Sequence, residues 1–98
     1  MKKVEINNMT YLVEKDYKDA FDLEEVVSLC TDYFDDFDYI FGDYSYSKLR
    51  LKGFYESSNK KAKDINNIKV LDDYIKNYCS YDCKYFLLHK ELPKENQK

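Results

Sequence analysis

Tryptophan is absent from this 98-residue chain, glycine occurs twice and histidine once. Two isolated glycines, Gly42 and Gly53, exclude a glycine-rich loop that cradles phosphate. His89 stands alone at the edge of an apolar run and no nucleophile elbow is present, so the residues give no basis for a nucleophilic enzyme. No stretch approaches the roughly eighteen apolar residues of a membrane-spanning helix. The opening residues lack a basic flank, an apolar run and a small-residue cleavage site. Cysteine is scarce and odd in number, at Cys30, Cys79 and Cys83, which argues against a disulfide framework. These absences predict a reduced cytoplasmic protein that is not an enzyme, needs no cofactor and meets no membrane.

What is abundant is the phenolic ring. Eleven tyrosines and six phenylalanines assign much of the burial to aromatic side chains, most of which keep a polar edge. The length suits one domain with one modest core, placed at residues 1–92, and the segment 93–98 after Pro93 reads as a disordered polar tail. The net charge of -3 conceals a division. Glu14 to Asp43 holds eleven acidic residues against two lysines, a net -9, and Tyr44 to Lys63 holds six basic residues against Glu56, a net +5. Opposed charged regions are expected unless the fold interleaves them.

Val4 and Ile6 alternate with polar residues, Asn7 and Asn8 suit a tight turn, and Met9, Tyr11 and Val13 resume the alternation, which predicts a hairpin. The stretch KDYKDAF breaks the pattern. Asp22 then reads as a helix cap with Glu25 at the third helical position. Leu23, Val26, Cys30, Tyr33, Phe34 and Phe37 recur at helical spacing, and late aspartates place the helix end near Asp35. Two strand candidates follow in DYIFGDYSYSKLRLKGFYE, separated or bent at Gly42-Asp43. ESSNKKAKDINN reads as a mobile polar loop, Leu71, Tyr74, Ile75, Tyr78 and Cys79 as a short second helix, and KYFLLH as an interior strand. The predicted architecture is α+β, with two layers: a mainly antiparallel sheet and two helices packed against it.

FDYIFGDY followed by LRLKGFY, then LDDYIKNYC and CKYFLL, with YKDAF before the first helix, resembles the YutD-like family from about Met9 to Leu88. The resemblance implies a small α+β domain with no assigned catalytic activity. The family pattern falls on Asp38, Tyr39, Gly42, Asp43, on Leu49 to Phe54, and on Cys79 and Cys83. Where the family resembles WGYGQLRLKG, this chain has Tyr44, Ser45, Tyr46, Ser47 and Lys48. A backbone that required glycine would be strained at Ser45 or Ser47.

On one continuous strand Tyr44, Tyr46, Lys48, Arg50, Lys52 and Phe54 would share a face, rings for stacking beside cations for phosphate. With Lys60, Lys61 and Lys63 from the following loop, this predicts a basic aromatic surface for single-stranded RNA. The alternatives are an unidentified cytoplasmic protein partner, met through both charge regions or an open strand edge, and an ordinary solvated strand face. A structural role competes as well: Arg50 paired with Asp38 or Asp43 would hold a turn around Gly42, and Asp38, Gly42, Asp43 and Gly53 would fix the backbone there. Asp32, Asp35, Asp36, Asp38 and Asp43 lack the calcium-loop pattern. Three cysteines with His89 reach the ligand count of a zinc site, but Cys30 and Cys79 complete apolar helix stripes, so a structural role is the plainer reading. The oligomeric state is not legible at this level.

Overall fold

The hairpin at the start forms for the expected reason. Alternating apolar residues make β1 (Lys2–Ile6), and Asn7 and Asn8, at φ of 54° and 65°, turn the chain into β2 (Met9–Tyr17). These coordinates are a computed structural model that describes residues 2–45, 47–78 and 83–91. KDYKDAF does not interrupt β2 where expected. The register shifts between Val13 and Lys15, leaving Glu14 as an extra residue, and the strand continues through Lys15, Asp16 and Tyr17. The break comes at Lys18 and Asp19, both with positive φ.

Asp22 caps α1 (Leu23–Leu29), its carboxylate accepting the Glu25 N–H at 3.3 Å. The helix is shorter than its apolar spacing predicted. Cys30 leaves helical geometry at ψ 106°, and Thr31 caps a separate 3-10 turn over Asp32–Asp36. A continuous helix would have carried Asp32, Asp35 and Asp36 at its negative end, with no basic residue in the last turn to offset them. The split buries Val26, Cys30 and Phe37 and leaves Tyr33 exposed.

β3 (Tyr39–Ser45) runs through Gly42 and Asp43 without the predicted break. The reversal lies later, between Ser45 and Lys48, where Ser47 adopts φ 65°, and β4 (Lys48–Phe54) returns beside β3. A 3-10 turn over Ile68–Val70 leads into α2 (Leu71–Tyr78), and β5 (Tyr85–Lys90) closes the sheet. The order is β1-β2-β5-β3-β4, with every neighbouring pair antiparallel. The fold is therefore α+β, an antiparallel sheet flanked by two helices, and the helical layer is divided between the two faces. On one side Val26 and Cys30 of α1 and its C-cap pack with Val4, Ile6, Tyr11, Ile40, Phe86 and Leu88. On the other, Leu71 of α2 packs with Tyr39, Phe41, Phe54 and Leu87. KYFLLH is apolar throughout because β5 is the central strand and buries both faces.

The loop after β4 is not the loose segment that its composition suggested. Asp38 accepts the Glu56 N–H at 2.8 Å and an Asn59 side-chain N–H at 3.0 Å. Tyr55 donates its N–H to Asn66 O at 2.7 Å and accepts from Ile68 N–H at 2.9 Å, a short parallel bridge beside the end of β4. Cys79 and the tail 93–98 lie outside the described residues. No described helix is long and apolar enough to cross a membrane.

Candidate functional site

Residue pairing across the β3–β4 hairpin decides which side chains share a face. Tyr44 stands opposite Leu49, Asp43 opposite Arg50, Phe41 opposite Lys52 and Tyr39 opposite Phe54. Directly paired residues point the same way, so Lys48, Arg50, Lys52 and Phe54 face α2, and Tyr44 faces α1 with Leu49 and Leu51. The turn exchanges the parity on which a single basic aromatic face depended. Tyr46 lies outside the described residues. Tyr44 is half-buried, with its hydroxyl donating to Glu25 at 3.4 Å and Lys84 Nζ 4.5 Å above its ring. Burial, with Glu25 beside it, raises its pKa.

Phe54 is fully buried and offers no surface for stacking. Lys52 lies over it, Nζ 5.2 Å from the Phe54 ring centre and 5.6 Å from that of Tyr74. Arg50 reaches back to Asp43, Nε to Oδ1 at 3.2 Å and Nη2 to Oδ2 at 2.6 Å. The Asp43 side chain is 2% exposed and that of Arg50 is 45% exposed, so the guanidinium caps a buried carboxylate from the solvent side. Lys48, like Arg50, is exposed, and Lys52 is half-buried. Lys60, Lys61 and Lys63 are exposed on the loop that follows. The loop that carries them is anchored at the Phe54 end of β4, and Lys61 pairs with Asp36 at 2.5 Å. Bonds from Lys61 and Tyr55 hold the Asp36 carboxyl below its ordinary range.

Asp38 bonds to the loop rather than to Arg50. Gly42 and Gly53 have a packing reason instead of a turn: a Cβ at Gly42 would enter the Phe86 ring, and one at Gly53 the Phe37 ring. Two features had little sequence signal. Beside β4 an open cleft of about 240 Å³ is lined by Lys52, Ile65, Val70, Asp73, Tyr74 and Asn77. Ile65, 74% exposed, is the lone aliphatic residue of a polar loop and was its only trace. On the same face of the sheet, His89 stacks on Tyr39 at 4.2 Å and sits between Glu14 at 2.7 Å and Glu56 at 3.3 Å, and Tyr39 donates to Glu56 at 2.6 Å. Burial, then the Glu56 bond, raises the Tyr39 pKa. Glu14 reaches His89 from the β2 bulge, which alternation alone does not locate.

Among the described residues no group of three or more His, Cys, Asp or Glu is placed to hold a metal ion. Cys30 is a core residue whose pKa is raised by burial and then by Asp35.

What remains open is the backbone of β4. Lys90 N–H donates to Asp38 O and Tyr44 N–H to Lys84 O, while Asp38 N–H donates to Phe54 O, so within β3 the even-numbered residues turn their backbone groups to the β5 side and Tyr39, Phe41 and Asp43 turn theirs to β4. By alternation residues 48, 50, 52 and 54 bond inward to β3, and Leu49, Leu51 and Gly53 point theirs out of the sheet, as Tyr55 does toward Asn66 and Ile68. Among the described residues no strand pairs with that outer edge.

The model of a family described as "Putative antitoxin YutD-like" matches residues 5–89. A Bacillus subtilis (strain 168) protein named "Putative antitoxin YutD" is 39% identical over 85 residues, which are 87% of this chain and 93% of that protein. The solution NMR structure of protein yutD from B. subtilis is similar at a TM-score of 0.77 and 36% identity, over 93% of this chain and 83% of that one.

Proposed function

The chain belongs to the YutD-like family, and from that premise we propose that it is a noncatalytic domain that acts by binding another protein along the outer edge of β4. The observation that carries this is the outward backbone groups at the half-buried Leu49 and Leu51, next to a cleft of mixed apolar and polar lining, with Gly53 already buried. An unpaired edge is a template for a partner strand, with main-chain bonds supplying affinity and neighbouring side chains supplying choice. The word antitoxin in the relative's name supports a partner that is itself a protein, a toxin being the class.

Single-stranded RNA on the same face has less support. The buried Phe54 and the inward-turned Tyr44 remove two of the rings on which base stacking would rest. A photo-crosslinking side chain introduced at Lys48, with Glu24 on α1 as the control position, separates the two in the native host. The expected result is a discrete, protease-sensitive and nuclease-resistant adduct at position 48 and none at position 24. An adduct destroyed by ribonuclease, or one formed only from position 24, overturns the proposal.

A further inference from the structure

We infer that the β4 edge takes an extended segment of a partner protein in which two carboxylates four residues apart flank an apolar, neutral, apolar triplet. This rests on β4 being the contact edge, and it adds the chemistry of what binds there. A strand laid along β4 places successive side chains on opposite faces of the extended sheet. Positions opposite Leu49 and Leu51 fall on the α1 side, where both leucines are half-buried and join the core cluster, so they call for apolar partners. Positions opposite Lys48, Arg50 and Lys52 fall on the α2 side.

These three cations are not equivalent. Arg50 already holds the buried Asp43 through two bonds, and the pair is electrically neutral. Lys48 stands exposed at one end of the strand, and the half-buried Lys52 stands at the other, at the lip of the cleft it shares with Ile65, Val70, Asp73, Tyr74 and Asn77. Charge complementarity therefore asks for carboxylates opposite Lys48 and Lys52 and a neutral residue between them, opposite Arg50. The buried Gly53 and the parallel bridge of Tyr55 with Asn67 end the available edge after Lys52, which sets the length at about five residues.

A second copy of this chain does not fit that pattern. β4 laid against another β4 would set Lys48, Arg50 and Lys52 against their own counterparts. The remaining edge strand, β1, would bring Lys2 and Lys3. Lysines on an edge discourage self-pairing, and here the same side chains select an acidic strand.

The test is an amide NMR titration of the whole chain with the blocked peptide Thr-Glu-Val-Thr-Val-Glu-Thr, beside the same peptide with lysine in place of both glutamates, at millimolar concentration and low salt. The expected result is saturable shifts at Leu49 and Leu51 with the glutamate peptide and at least a tenfold weaker response to the lysine peptide. In the doubly substituted Lys48→Glu/Lys52→Glu chain, checked for a native amide spectrum, the preference should reverse. Equal responses to both peptides, or no edge shifts with either, overturn the inference. So does a concentration-dependent dimer that moves the same amides. If crosslinking at position 48 still captures a protein in those cases, the interaction role stands and only the partner's chemistry is wrong; if it captures none, both fall.

Discussion

Ser47 carries a left-handed backbone, φ 65°, at a position where the family pattern resembles glycine. A side chain there costs about 1–2 kcal/mol, and glycine returns part of that gain as unfolded-state entropy. Ser47→Gly is therefore expected to stabilise the chain by roughly 0.5–1 kcal/mol in urea unfolding. Ser45 lies within β3 without positive φ, so the same exchange there should bring no gain. The glycines that are kept have the opposite logic: Gly42→Ala drives a methyl into the Phe86 ring and should cost about 1–3 kcal/mol. Arg50→Ala strips two bonds from a carboxylate that is only 2% exposed. Because the guanidinium is itself half in water, the expected loss is about 1–2 kcal/mol, against less than about 0.5 for Lys48→Ala. Equal midpoints for these two variants would remove Arg50 from the folding role.

Among the elements, the loop between β4 and α2 is held by its own asparagines and by one side chain from outside it. Asp38, just before β3, holds both the Glu56 N–H and Asn59. Asp38→Ala should cost about 1–3 kcal/mol, and hydrogen exchange at Tyr55 and Ile68 should quicken while that of β5 amides is retained. Uniform protection across the loop in this variant would show that the Tyr55–Asn67 bridge is sufficient alone. The first helix illustrates a different limit. Its start was legible in Asp22 and Glu25, but its end was not, since Cys30, Phe34 and Phe37 keep helical spacing although the chain turns at Cys30. Apolar spacing reports which side chains are buried, and two short segments at an angle can bury the same set as one long helix.

At the scale of the whole molecule the tyrosines couple folding to alkaline pH. Burial raises Tyr11 from 10.0 to about 12, and the Asp36 hydrogen bond, followed by burial, raises Tyr55 to about 12. Tyr39 is raised further, by burial and by Glu56. A phenol whose folded pKa lies above its unfolded value keeps its proton in the native state while the unfolded chain releases it. The stability is thus fully present below pH 10 and is lost as pH climbs toward and through about 12. Ultraviolet titration should show a late group of tyrosines, Tyr11, Tyr39 and Tyr55 among them, that titrates only as far-ultraviolet dichroism is lost. Ionisation of all eleven in one step with the fold intact would contradict this placement.

The sequence by itself determined the α+β class, the first hairpin, the helix cap at Asp22, the central position of KYFLLH and the family, because each depends on local periodicity, on turn chemistry or on an ordered set of motifs. Leu49 and Leu51 against Lys48, Arg50 and Lys52 was equally local, since alternation within one strand needs no partner. Tertiary structure alone decided the face of Tyr44. The reversal sits between Ser45 and Lys48 and not at Gly42, and a shift of turn position changes which residues of two strands stand opposite each other. It also decided that Phe54 is core, that Arg50 belongs to Asp43 and that Asp38 belongs to the loop, all of which require knowing what lies across the sheet. The open edge of β4 is the furthest from the sequence, for an edge is defined by the strand that is not beside it, and only the order of all five strands can say which that is.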